Sequence, residues 1–181
     1  MTSLRHAVFD TAAGPCGLAW TGSGLARFQL PADDAAATEA ALTRRIASTR
    51  APPPPAVEAL IDAVRRYFDG APETFADVPL DTAVEDETHR KIYAATRALP
   101  WGTTTTYGAL AARLGLGREA ARDIGVAMSR NPVPLIVPCH RVLAAGGALG
   151  GFSAPGGAVT KRLMLRLEGV PLPPEQPSFL L

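Results

Sequence analysis

The sequence predicts an α+β protein in two units, a small mixed α/β unit over residues 1–82 and a mostly helical unit over residues 83–181. Over residues 5–30 apolar and polar residues alternate with period two around Gly14, Gly17, Gly22 and Gly24, which is the pattern of half-buried strands. The period then lengthens to that of helices. After residue 85 short helical segments separated by Gly and Pro dominate, and two of them are joined by a glycine turn.

Taken in order, LAW, TGSG and LARFQL read as two strands joined by a tight turn. Residues 33–48 are Ala-rich with Asp33 and Asp34 in front and read as a helix. APPPPA at 51–56 reads as a stiff, non-helical surface connection, because its interior lacks amide donors. Residues 57–68 place Val57, Leu60, Ile61, Val64 and Phe68 on one helical face, and residues 74–80 suit one more short strand. Residues 85–98 read as a helix with Ile92, Ala95 and Leu99 inward, broken by Pro100, Trp101 and Gly102. Thr106 suits the N-cap of a helix over 107–114. Gly115 and Gly117 make a turn, and a second helix runs from Arg118 to about Ser129, completing a helix-turn-helix. Asn131-Pro132 ends it. VPLIVPCHRVL reads as extended and buried, GALGGFSAPGG as a glycine-rich loop, and residues 158–168 as a closing helix.

Hydrophobic residues make up 47% of the 181, enough for a proper core, and charged residues 19%, so wholesale disorder is excluded. No apolar run reaches the ~18 residues of a membrane span, and MTSLRHAVFD lacks a charged-then-apolar signal pattern. The expectation is a soluble, cytoplasmic monomer with no membrane contact. The net charge of +1 is uneven: residues 1–100 carry ten Lys/Arg against thirteen Asp/Glu, and residues 101–181 eight against four. The basic second half suits a polyanion, and equally a solvated face.

Cys16 and Cys139 are the two cysteines, too few for a thiolate zinc site and too far apart for a disulfide framework, and His6, His89 and Cys16 lack metal-ligand spacing. No metal and no cofactor is expected. Cys139 lies in Pro138-Cys139-His140-Arg141. A cation or a histidine base beside a cysteine favours the reactive thiolate. In an extended strand His140 points away from Cys139, so a water between them is the reasonable route for a proton. On the residues alone Tyr107 also suits a first-turn core aromatic, Glu168 a solvated last-turn acid and Asn131 plain turn chemistry.

The segment NPVPLIVPCHRV (131–142) resembles the active-site signature of the O6-alkylguanine-DNA alkyltransferases, the methylated-DNA–protein-cysteine S-methyltransferases. LPWGTTTTYGALAARLG (99–115), ARDIGVAM (121–128), GGFS (150–153) and KRLMLRLEG (161–169) follow the same family in order, so the likeness covers residues 85–170. It implies a ribonuclease H-like first domain and a winged-helix-like second domain that uses its helix-turn-helix in the minor groove. The partner would be double-stranded DNA bearing an alkylated guanine, and the activity a single-turnover, self-inactivating alkyl transfer to Cys139 with base flipping. By the same resemblance His140 would deprotonate Cys139 through a water and Glu168 would orient His140. Asn131 would hold the turn before the active-site segment, and Tyr107 would donate a proton to the leaving base. Arg122 would replace the flipped nucleotide. Thr106, Ala120, Ala121 and Arg130 would face DNA, the two alanines letting the helix approach a narrow groove. Met128, Pro134, Val142, Phe152 and Ser153 would line the base pocket. Asp123 follows Arg122 where the family often has Ala, and an acid there repels phosphate unless an arginine pairs with it.

Overall fold

The computed structural model describes residues 3–84 and 86–172, so Glu85 and the end of the second unit, residues 173–181, lie outside the described residues. The alternating segment forms three antiparallel strands, β1 (Arg5–Thr11), β2 (Gly14–Trp20) and β3 (Leu25–Gln29). A two-residue strand, β4 (Thr49–Arg50), adds parallel to β1, giving the order β3-β2-β1-β4. The register pairs Ala7 with Leu18 and Phe9 with Cys16 on one face, and His6 with Ala19 and Val8 with Gly17 on the other. Period two therefore sorts the strand side chains between two helices. Helix α1 (Ala35–Thr43), capped by the Asp34 side chain, takes the Gly17 face, where Leu42 covers the glycine and Glu39 bonds His6 at 2.9 Å. Helix α2 (Pro55–Phe68) packs on β1 from the other face.

Helix α2 corrects one expectation. It begins inside the proline run, with Pro55 in its first turn. A proline there loses no hydrogen bond, and its φ is already helical. Its buried face is Ile61, Val64, Tyr67 and Phe68. A second correction concerns residues 74–80. They form no strand; a single bridge joins Leu80 to Leu25, and Gly24 lets the chains approach, since a Cβ there would sit 2.5 Å from the Pro79 carbonyl oxygen.

In the second unit α3 (Glu87–Arg97) is capped by Asp86. A two-residue strand, β5 (Thr105–Thr106), leads directly into α4 (Tyr107–Arg113), with the Thr106 hydroxyl accepting the Ala109 amide at 3.1 Å. The helix read from Arg118 begins later: Arg118–Ala120 is a 3-10 turn, and α5 (Ala121–Ser129) follows it. Helices α3 and α4 pack against α5.

The run expected to be extended is not. Val137 bonds back to the Val133 carbonyl at 2.9 Å, Leu135 has a φ of 76°, and Cys139–Arg141 form a 3-10 turn. Prolines at 132, 134 and 138 remove the donors that a ladder needs. The strand itself is short, β6 (Val142–Leu143), parallel to β5. Helix α6 (Ala158–Leu167) closes the unit. The apolar core runs continuously from the β1–β3 sheet to α6, and the Phe28 amide bonds the Pro132 carbonyl at 2.9 Å across the two parts. No helix among the described residues is long and apolar enough to cross a membrane.

Candidate active site

The 3-10 turn at 139–141 decides the site. It lets the neighbours His140 and Arg141 both turn inward onto Glu168 while Cys139 faces a cavity, whereas in a strand successive side chains point to opposite faces. Cys139 faces a cavity of about 470 Å³ while remaining 6% exposed. Asn131 holds the turn before it: its amide donates to the Val137 carbonyl at 2.9 Å, and its side-chain oxygen accepts the Val133 amide at 3.0 Å. Burial pushes the Cys139 thiol up; a bond from Asn131 and then the charge of Lys161 pull the other way without cancelling it. A thiol that needs a base agrees with the expectation that His140 deprotonates it. The thiol keeps its proton until a base takes it, because desolvating the anion costs more than the nearby cation returns. That cation is also not Arg141. Lys161 is fully buried on α6, and its ammonium donates to the Val142 carbonyl at 2.7 Å. Burial lowers its pKa to about 8, and a Cys139 thiolate, once formed, pulls it back up.

His140 and Arg141 turn inward onto Glu168, which follows α6. His140 Nε2 lies 2.6 Å from Glu168 Oε1. Arg141 donates Nε to Oε2 at 2.8 Å and Nη2 to Oε1 at 3.0 Å, and its Nη1 reaches the Leu99 carbonyl at 2.5 Å. Tyr67, from α2, donates its hydroxyl to Oε1 at 2.9 Å and lies 3.3 Å from His140 Nε2. The Gly102 amide reaches Oε2 at 3.2 Å, and a φ of 71° with a Cβ position 2.9 Å from the Glu168 carbonyl makes glycine the fitting residue there. Burial alone would raise the Glu168 pKa; the bonds from His140 and Arg141 outweigh it and bring it to about 2. Burial lowers that of His140 more than Glu168 raises it. A neutral His140 facing an ionised carboxylate carries its proton on Nε2, which leaves Nδ1 as the basic nitrogen. Nδ1 is buried and has no hydrogen-bond partner among the described residues.

The cavity beside Cys139 is lined by Tyr107, Gly125, Met128, Ser129, Phe152 and Ser153 among others. Tyr107 opens α4 and is half-buried; burial raises its pKa, and a Cys139 thiolate, once formed, raises it further, so it remains protonated. Pro134 and Arg130 line the adjoining cleft. Val142 lines neither. It is wholly buried, because its pairing with Thr105 in the β5–β6 ladder turns it into the core. Ala120 and Ala121 form the junction of 3-10 turn and α5, and Arg122 and Asp123 follow on that helix's exposed first turn.

Tyr67, Lys161 and Gly102 were missed as members of the site, and Arg141 was read only as a cation beside Cys139. Arg141 had a weak signal, being a charge inside an apolar run. Tyr67 had none, since it sits 101 residues from Glu168. Cys16 is buried in β2 with its pKa raised to about 12 by burial, which makes it inert. Among the described residues no group of His, Cys, Asp or Glu could hold a metal ion.

A family model described as 6-O-methylguanine DNA methyltransferase, DNA binding domain, matches residues 87–170. A methylated-DNA–protein-cysteine methyltransferase of Mycobacterium tuberculosis is 34% identical over 165 residues, covering 91% of this chain and 92% of that one. A DNA base-flipping protein of Thermus thermophilus is 41% identical over 108 residues, covering 59% of this chain and 76% of that one. Among solved structures, that of Mycobacterium tuberculosis OGT in complex with DNA superposes with a TM-score of 0.75 at 33% identity, over 91% of this chain and 92% of that one. The mixed α+β fold is that of these proteins, and the chain belongs to the methylated-DNA–protein-cysteine methyltransferase family.

Proposed function

We propose that the chain repairs alkylated DNA directly, moving the alkyl group from O6 of guanine in duplex DNA to Cys139, once per molecule. The observation that carries this is the buried His140–Glu168 pair, whose free nitrogen Nδ1 belongs to the residue next to a cysteine at a cavity with room for a flipped base. Guanine O6 lies on the paired edge, so the base must leave the stack, and a poorly pairing lesion lowers that cost of a few kcal/mol. The Cys139 proton passes to His140 Nδ1 through a bridging water, Sγ attacks the alkyl carbon, and the S–C bond forms as the C–O6 bond breaks. Guanine departs as an anion and takes a proton, for which Tyr107 is the donor. Glu168 orients His140 and stabilises its charged form. The thioether is stable, so the protein is consumed.

In this reading Arg122 fills the space of the flipped nucleotide, and Thr106, Ala120, Ala121 and Arg130 face the DNA. Met128, Pro134, Phe152 and Ser153 hold the base. The division into a ribonuclease H-like unit (1–82) and a winged-helix-like unit (83–181) belongs to the same reading, as do a cytoplasmic monomer and the absence of a cofactor. Intact mass after mixing with a duplex containing O6-methylguanine tests it. The expected result is a gain of one methyl in place of one hydrogen, lost in Cys139→Ser. Tight binding with no mass change in the wild-type chain overturns transfer and makes the protein a damage sensor.

A further inference from the structure

The first unit turns a group of arginines toward the reactive cysteine. Arg27 on β3, with Arg44 and Arg45 just after α1, lines a cleft of about 700 Å³ that also contains Arg130 and Cys139. Arg44 and Arg45 are exposed, and Arg27 is half-buried, its Nη1 donating to the Arg44 carbonyl at 3.2 Å. Burial and then the charges of Arg44 and Arg45 lower the Arg27 pKa, so the three guanidinium groups lie within electrostatic reach of one another. Among the described residues none of these four arginines forms an ion pair with a carboxylate. The cluster does not follow from a local surplus of base, since residues 1–100 carry ten Lys/Arg against thirteen Asp/Glu. Arg45 also has a φ of 70°, where glycine is the unstrained choice.

Crowded like charges repel, and that repulsion is relieved when an anion sits among them. Guanidinium is the side chain whose fork matches two phosphate oxygens. We infer that Arg27, Arg44 and Arg45 form a phosphate-binding face on the first unit, which grips the DNA backbone across the cleft from α5. The choice of DNA as the polyanion rests on the alkyl-transfer reading; the convergence of the arginines does not. The lesion strand is then held on both sides of Cys139, and the first unit is part of the DNA interface.

Each phosphate neutralised steepens the salt dependence of duplex binding. The test is fluorescence anisotropy with an unmodified duplex over a salt series, using the full chain, the triple variant Arg27→Ala/Arg44→Ala/Arg45→Gly, and Arg66→Ala as a control. Arg66 lies on α2 and is paired with Glu73. The triple variant should lose about two to three from the slope of log K against log salt, at roughly 0.9 per phosphate, while Arg66→Ala keeps the wild-type slope. Thermal unfolding reports whether the triple variant is folded. If it is not, Arg45→Gly alone decides, since glycine relieves the positive φ while removing the charge. A slope about 0.9 smaller supports the face, and an unchanged slope overturns it. Loss of self-association with an unchanged slope also overturns it, assigning the arginines to a second copy of the chain. A wild-type chain that shows no methyl mass shift but an arginine-dependent slope would sink alkyl transfer and leave this face standing.

Discussion

On the inner side of Cys139, His140, Arg141, Glu168 and Tyr67 are buried and tied to one another by five hydrogen-bond contacts of 2.6–3.3 Å. On the outer side, Arg122, Asp123, Arg130, Arg44 and Arg45 are exposed and outside any ion pair among the described residues. The inner charges sit where the dielectric is low, so each contact is strong and an orphaned partner is costly. The outer charges are screened by water and salt and contribute little until a ligand displaces that water. In the proposed function, one side prepares a base before DNA arrives and the other waits for a polyanion.

The strongest way to break this contrast is to remove the inner guanidinium. Arg141→Leu leaves the Glu168 charge without its two-pronged partner, at a cost of about 3–5 kcal/mol. The melting temperature should fall by about 6–20 °C, at roughly 2–4 °C per kcal/mol for a chain of this size. Tyr67→Phe removes one hydroxyl donor to the same carboxylate and should cost about 1.5–3 kcal/mol. Wild-type melting in both variants would show the inner network to be slack and end the comparison.

Acid sharpens it further. The native His140 pKa lies below its ordinary 6.5, chiefly through burial, so below that pH the unfolded chain takes up a proton that the native chain refuses. The native Glu168 pKa is about 2 against an ordinary 4.5, the bonds from His140 and Arg141 overcoming the effect of burial. Between those values the unfolded chain again binds more protons. Stability therefore rises with pH in both windows. Denaturant midpoints should fall as pH drops through 6.5 and again from 4.5 toward 2, and Glu168→Gln should flatten the lower step. A midpoint independent of pH below 6.5 would mean that these groups are solvated in the native chain.

The outer side predicts the smallest effect. Asp123→Ala removes the acid beside Arg122, and duplex affinity at low salt should rise about threefold, an exposed-charge effect. The same change removes a favourable acid from the first turn of α5 and should cost about 0.3–1 kcal/mol. Unchanged affinity in an anisotropy titration would take Asp123 off the DNA face.

The particular residues show why some features were legible in the chain and others were not. Thr106, Asp34 and Asp86 cap helices through contacts three residues away, so local chemistry places them. The turn containing Cys139 was misread because its apolar run is consistent with a buried strand, while the prolines that forbid a ladder leave the alternative shape open. Val142 was assigned to the pocket by family likeness, whereas ladder pairing turns it into the core. Tyr67 escaped because a tyrosine on the apolar face of an amphipathic helix looks the same whether its hydroxyl meets solvent or a carboxylate. The arginines at 27, 44 and 45 were three scattered charges until β3 and the end of α1 brought them to one cleft.

By itself, then, the sequence determined the strand and helix periods, the Thr106 cap, and the adjacency of Cys139 and His140. These depend on residues a few positions apart, where propensity and hydrogen-bond reach operate. The tertiary structure alone decided that Glu168 would be ionised, that His140 would stay neutral with its basic nitrogen free, and that Cys139 would keep its proton. Charge state depends on burial and on which distant groups converge, and both are set only when the core closes.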